Sequence, residues 1–167
     1  ILKKNKNKKL YYYKKAIEAL IDLSKQKPPS FLKPYDKKTY VKELNLFLVW
    51  HLNYKDNNEG VYEWHAIWKN LLKKIDKNHV SLVLRDYHVD NIFYLKKRKK
   101  IKDIGLIDYQ DALIGHPSYD LVSLLQDVRT FLSQKDQKYL YNYYLSKTKY
   151  NLKEFRQTYL ILGTQRL

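Results

Sequence analysis

Apolar side chains recur at helical spacing through the first half of the chain. Tyr13, Ile17, Leu20 and Ile21 share one face of a first helix, which stops before Pro28 and Pro29 because proline lacks the N–H that a continuing helix needs. A loop then runs to about Asp36, whose short side chain suits the N-cap of a second helix. In that helix Tyr40, Val41, Leu44, Phe47 and Leu48 form one face, while Leu46, Val49 and Trp50 add apolar surface on the other side. Apolar residues on both sides predict a central helix. A third helix has the clearest stripe: Trp64, Ile67, Trp68, Leu71, Leu72 and Ile75 fall at i, i+3, i+4, i+7, i+8 and i+11.

The period then changes. Val80 to Leu84 and Asn91 to Leu95 are short aliphatic and β-branched runs with no helical stripe, and both read as strands. The basic cluster Lys96 to Lys100 reads as a solvated turn leading into Ile101 to Ile107, which completes a β-hairpin. After Gly115 and Pro117 the helical pattern returns at Tyr119 to Val128. Ser133 and Asn151, each three residues before an acidic residue, mark the starts of two more helices, the last carrying Leu152, Phe155, Tyr159 and Leu162. No repeat or linker divides the chain, so residues 1–167 read as one mainly α unit with a small β-hairpin.

Composition narrows the setting. A hydrophobic content of 44% with 15% aromatic residues is enough for a packed core. The net charge of +16 raises nucleic acid as a partner, but 28 Lys stand against 5 Arg and the lysines are scattered over several elements. Nucleic-acid faces are clustered and favour the Arg fork, so no nucleic-acid partner is expected. No apolar run approaches the ~20 residues that span a bilayer, and no leader pattern is visible, so a cytoplasmic protein without membrane association is expected. The chain has no Cys, which removes disulfides and thiolate chemistry together. Met is also absent, and the opening Ile1 reads as part of a longer protein or as an unusual start.

Candidate chemistry is concentrated in two stretches, Leu82 to Phe93 and Leu106 to Ala112. Asp86 and Asn91 sit on the turn after one β-type run, and Asp108 ends another. Brought together, three such oxygen-bearing side chains could hold magnesium and a substrate hydroxyl for phosphoryl transfer. Taken singly, an Asp at a strand end is more often a turn residue. Asp86, His88 and Asp90 alternate as in a metal-binding strand, but the spacing from Asp86 to Asn91 accounts for the segment better. His51, His65, His79 and His116 read as surface or packing residues, Asp111 as structural, and the tyrosines of 139–144 as helix packing.

These stretches carry a resemblance. Arg85-Asp86-Tyr87-His88 with Asn91, then Ile107 to Ala112, then Gly115, Pro117 and Tyr119 to Leu125 resemble the signature of the aminoglycoside phosphotransferase and choline kinase family. Within it they are similar to the bacterial subgroup of cell-wall amino-sugar kinases, which phosphorylate N-acetylmuramate and N-acetylglucosamine. The segment from Asp36 to Leu52 and the Gln165-Arg166 pair are similar as well, so the likeness covers nearly the whole chain. It implies the C-terminal lobe of the protein-kinase-like fold, with ATP as phosphoryl donor, Mg²⁺ as cofactor and a small amino sugar as acceptor. Carried over by position, it implies that Asp86 takes or orients the acceptor proton and that Asn91 and Asp108 hold metal and nucleotide. Asp120 would accept backbone N–H groups of the loop, and Arg85 and His88 would brace that loop or touch substrate. One departure is Leu84, where most members carry a loop-bracing His.

The only glycines are Gly60, Gly105, Gly115 and Gly163, so no Gly-rich phosphate loop lies within these residues. Nothing resembles the Lys that grips the phosphates. The expectation is a truncated C-terminal lobe that is inactive without its N-terminal nucleotide lobe, supplied by the parent chain or by a separate polypeptide. The alternatives are a non-catalytic remnant or interaction module and, less favoured, a basic nucleic-acid-binding protein.

Overall fold

The structure is a computed structural model that describes residues 8–52 and 59–166. Helix α1 (Lys9–Lys25) buries Tyr13, Ala16, Ile17, Ala19, Leu20 and Ile21 and ends ahead of the two prolines. Helix α2 (Lys37–Trp50) starts where the Asp36 carboxylate accepts the Thr39 N–H at 2.8 Å. Helix α3 (Glu59–Leu72) buries Trp68 and Leu72. Four short strands follow: β1 (Ser81–Val83), β2 (Ile92–Tyr94), β3 (Ile104–Leu106) and β4 (Leu113–Gly115), with a 3-10 turn at Lys100–Asp103. Helices α4 (Ser118–Leu125), α5 (Gln134–Ser146) and α6 (Leu152–Gln165) complete the described chain. Ser133 and Asn151 cap α5 and α6 through side-chain oxygens that accept the N–H groups of Asp136 (3.1 Å) and of Lys153 and Glu154 (3.0 and 3.2 Å).

The mainly α architecture with a small hairpin is the observed one. β2 and β3 form that hairpin, with Phe93 opposite Gly105. A second antiparallel ladder, unforeseen in the pattern, pairs β1 with β4 so that Ser81 faces Gly115 and Val83 faces Leu113. The segment before α2 joins its outer edge: the Tyr35 N–H donates to the Ile114 carbonyl (2.7 Å), and the Ile114 N–H donates to the Lys33 carbonyl (2.9 Å). Gly115 permits this close approach, since a Cβ there would lie 3.1 Å from Tyr35 Cβ and 3.2 Å from Val83 Cγ2.

Several expectations from periodicity are overturned: in the α3 stripe Ile67 is 51% exposed and Ile75 lies beyond the end of the helix. Leu46, Val49 and Trp50 are 51%, 57% and 78% exposed, so α2 is a peripheral helix and not the central one. It buries Tyr40, Leu44 and Leu48, with Val41 and Phe47 packed beside them, against α3 and α6. The enclosed helix is α4, in which every residue is buried against α1, α5 and α6. α4 is also shorter than its apolar pattern predicts. It ends at Leu125, and Val128 is exposed. Among the described residues no helix is long and apolar enough to cross a membrane.

This placement predicts unequal responses to truncation. Leu124→Ala, at a fully buried position, lowers the unfolding free energy by about 2–5 kcal/mol. Trp50→Ser changes it by about 0.5 kcal/mol or less, despite removing a larger side chain. Urea unfolding of the two variants checks both values.

Candidate active site

The backbone leaves the β1–β4 ladder after Val83, and the next two N–H groups need other partners. Both find them on Asp120 in the first turn of α4: Leu84 N–H donates to Oδ2 at 2.7 Å and Arg85 N–H to Oδ1 at 3.0 Å. Arg85 lies in the left-handed region with φ 71°, a conformation that costs a non-glycine residue roughly 1 kcal/mol or more. The two-oxygen clamp holds it there. Burial pushes the Asp120 carboxyl up to about 7, outweighing the two N–H bonds and the Arg166 charge that act the other way.

From Arg85 the chain coils into a compact loop. His88 N–H donates to the Asp86 carbonyl and Asn91 N–H to the His88 carbonyl, each at 3.0 Å. Tyr87, fully buried, anchors the loop to α1 by donating its hydroxyl to the Ala16 carbonyl at 2.7 Å. Asp127 accepts the Val89 N–H at 3.1 Å. His88 is buried, and burial followed by the charge of Arg129 lowers its pKa, which keeps the ring neutral.

Asn91 joins the loop to the hairpin. Its Nδ2 donates to the Asp86 carbonyl at 3.1 Å and to Asp108 Oδ2 at 3.4 Å. Its own carbonyl accepts the Ile107 N–H at 3.2 Å, so the residue before Asp108 is held by the same asparagine. Asp108 also has a positive φ, 61°, and its side chain stands exposed just past β3. Gln110 Nε2 donates to Asp108 Oδ1 at 2.6 Å. Asp86 is half-buried at the mouth of the loop, and Asp111 is exposed. With its nitrogen committed, the Asn91 side chain can offer only its oxygen to a cation. The Asn91 amide, whose nitrogen touches the exposed Asp108 carboxylate, and that carboxylate carry hard oxygen donors of the kind Mg²⁺ takes.

A second set of side chains escaped the sequence reading. Glu43 on α2 accepts from Arg85 Nη2 at 2.6 Å, from Gln165 Nε2 at 3.0 Å and from the Tyr35 hydroxyl. Arg166, just past α6, donates through Nη1 to the Arg85 carbonyl at 2.8 Å. The likeness of the α2 segment and of Gln165-Arg166 was legible, but the convergence of both on Arg85 was not. Arg166 and Asp127 also line a cleft of about 220 Å³ between α4 and α6, with Arg129 and Ser123 on its wall.

Residues 3–155 match the model of the phosphotransferase enzyme family. The chain belongs to that family. It is also similar to proteins described as N-acetylmuramate/N-acetylglucosamine kinase. The one from Caulobacter vibrioides is 27% identical over 146 residues, covering 80% of this chain and 40% of the relative. The one from Neisseria meningitidis serogroup B is 34% identical over 116 residues, covering 67% and 33%. A third, from Pseudomonas aeruginosa, is 29% identical over 119 residues, covering 69% and 34%. The chain therefore spans well under half the length of these relatives.

The buried Asp120 carboxyl makes stability depend on pH. Folded, it keeps its proton up to about 7; unfolded, it releases it near 3.8. Between those values the folded state binds more protons, so stability falls as pH rises, on the order of 4 kcal/mol in total at about 1.4 kcal/mol per pH unit. Asp120→Asn removes that slope and, at the acid end of the window, destabilises by about 1–3 kcal/mol because one buried N–H loses its acceptor. Urea titrations across the window test both effects.

Proposed function

We propose that this chain forms the metal- and acceptor-binding lobe of an ATP-dependent kinase acting on a small hydroxyl compound, an amino sugar of the N-acetylmuramate or N-acetylglucosamine type. The observation that carries the reading is the Asn91 side chain, whose single amide touches both the Asp86 backbone and the Asp108 carboxylate. It brings a half-buried carboxylate and a candidate cation pair into one rigid unit. The similarity to N-acetylmuramate/N-acetylglucosamine kinases supports the acceptor class.

In this reading the Asp86 carboxylate accepts or orients the proton of the attacking hydroxyl. Asn91 and Asp108 would hold Mg²⁺ through their oxygens, and the ion would supply positive charge to offset that of the donor phosphates. Arg85 and neutral His88 position the loop, and Asp120 fixes its backbone. The polar cleft beside Arg166 seats the acceptor, where the guanidinium groups of Arg129 and Arg166 would attract a sugar carboxylate. No Gly-rich loop lies in these 167 residues, so the remaining contacts to the donor phosphates come from a nucleotide lobe outside them. A cytoplasmic setting, where ATP is available, completes the reading.

Phosphate transfer from Mg–ATP to each amino sugar is measured with this chain alone and with the polypeptide encoded upstream. Transfer is expected only with both pieces, and Asp86→Ala reduces it by about 10²–10⁴-fold. Asp108→Asn raises the Mg²⁺ concentration required. A folded, two-piece preparation that transfers phosphate to neither sugar sinks the acceptor assignment.

A further inference from the structure

Three side chains that the chemistry above does not use meet at the opposite end of the β1–β4 ladder from Asp86. Ser81 pairs with Gly115, so His79, two residues before β1, and His116, directly after β4, are brought to one place. Asp76, in the loop after α3, lies between them. Its Oδ2 is 2.5 Å from His79 Nδ1 and 3.6 Å from His116 Nε2. One ligand-capable atom from each of the three residues lies within 4.8 Å of the others.

We propose that Asp76, His79 and His116 form a second cation site, one that takes a borderline divalent transition ion such as Zn²⁺ and staples the α3–β1 loop to the β4–α4 turn. Proximity alone would not carry this. The independent observation is His116, which is 3% exposed, yet its Nε2 faces the cluster without a hydrogen-bond partner. Its Nδ1 lies 2.8 Å from Ser118 Oγ. Nδ1 also accepts the Ser118 N–H at 3.2 Å, so the ring proton sits on Nε2. A bound ion would take its place, and the proton would move to Nδ1 and be donated to the Ser118 hydroxyl, the outer-shell arrangement that orients ligating histidines.

The carboxylate is equally prepared. Asp76 Oδ1 accepts the Asn78 N–H at 2.8 Å, and the Asp76 N–H donates to Thr158 Oγ1 at 2.9 Å. The side chain is thereby fixed with Oδ2 turned to both rings. A tetrahedral Zn²⁺ with ligands at about 2.0 Å spaces them about 3.3 Å apart, so the His116 separation already fits and His79 must withdraw by less than about 1 Å. The His79 side chain is 32% exposed, which gives the ion a route in and leaves the fourth position to water. Two imidazoles and one carboxylate favour a transition ion over Mg²⁺, which prefers an all-oxygen octahedron. The site is thus chemically distinct from the Asn91–Asp108 pair.

Co²⁺ titrated into the full chain under excess Mg²⁺ tests this, because tetrahedral Co²⁺ shows intense visible bands and octahedral Co²⁺ only weak ones. One equivalent is expected to give the intense bands, and one equivalent of Zn²⁺ to abolish them and raise the melting temperature. His79→Ala, at a partly exposed position, and the near-isosteric Asp76→Asn should each weaken Zn²⁺ binding by at least the ~10–100-fold that outer-shell changes cost. Asp108→Asn should leave the bands intact. Weak bands only, bands that survive in both His79→Ala and Asp76→Asn, or bands lost in Asp108→Asn would each overturn the proposal.

Discussion

The candidate site depends on one buried carboxylate. Where the chain turns out of β1, two backbone N–H groups lose their ladder partners in a largely buried region, and an unpaired buried donor costs about 1–3 kcal/mol. Asp120 takes one on each oxygen, and in doing so holds Arg85 in a left-handed conformation that it would not keep by itself. Everything downstream inherits this geometry: the turn at Asp86, the anchoring of Tyr87 on α1, and the reach of Asn91 to Asp108. The enclosure of α4 on all sides makes the clamp rigid. The same burial raises the Asp120 pKa.

The loop is gripped from further sides by elements remote in sequence. Asp127 holds Val89, and the Glu43 and Arg166 side chains take the Arg85 guanidinium and carbonyl. Asn91 carries the arrangement across to the hairpin, where a second left-handed residue, Asp108, turns its carboxylate outward. Two of the three non-glycine residues with positive φ among the described residues, Arg85 and Asp108, are joined through the Asp86 carbonyl and the Asn91 amide, and such strain clusters at functional sites. The short β1–β4 ladder has a role at both ends, since its register also assembles Asp76, His79 and His116.

Much of the fold was legible because local rules agree with it. The prolines stop α1, and Asp36, Ser133 and Asn151 cap helices through hydrogen bonds their side chains are shaped to make. The α2 reading failed for a physical reason: hydrophobic residues need not be buried. Leu46, Val49 and Trp50 stand exposed on a helix that the periodicity made central, while the enclosed α4 is only eight residues long. The β1–β4 ladder was hidden because strands of three residues leave little pattern, and pairing across some thirty residues leaves no local trace.

The residue types available for chemistry, the helix boundaries set by caps and prolines, and the family are legible along the chain, since each of these rests on identity and short-range spacing. Tertiary structure decided what meets what. Asn91 and Asp108 are brought together by the turn and hairpin between them, Glu43 and Arg166 reach Arg85 from opposite ends of the chain, and His79 meets His116 because Ser81 pairs with Gly115. Long-range contacts of this kind arise from burial and backbone pairing, which are properties of the folded chain and not of any window within it.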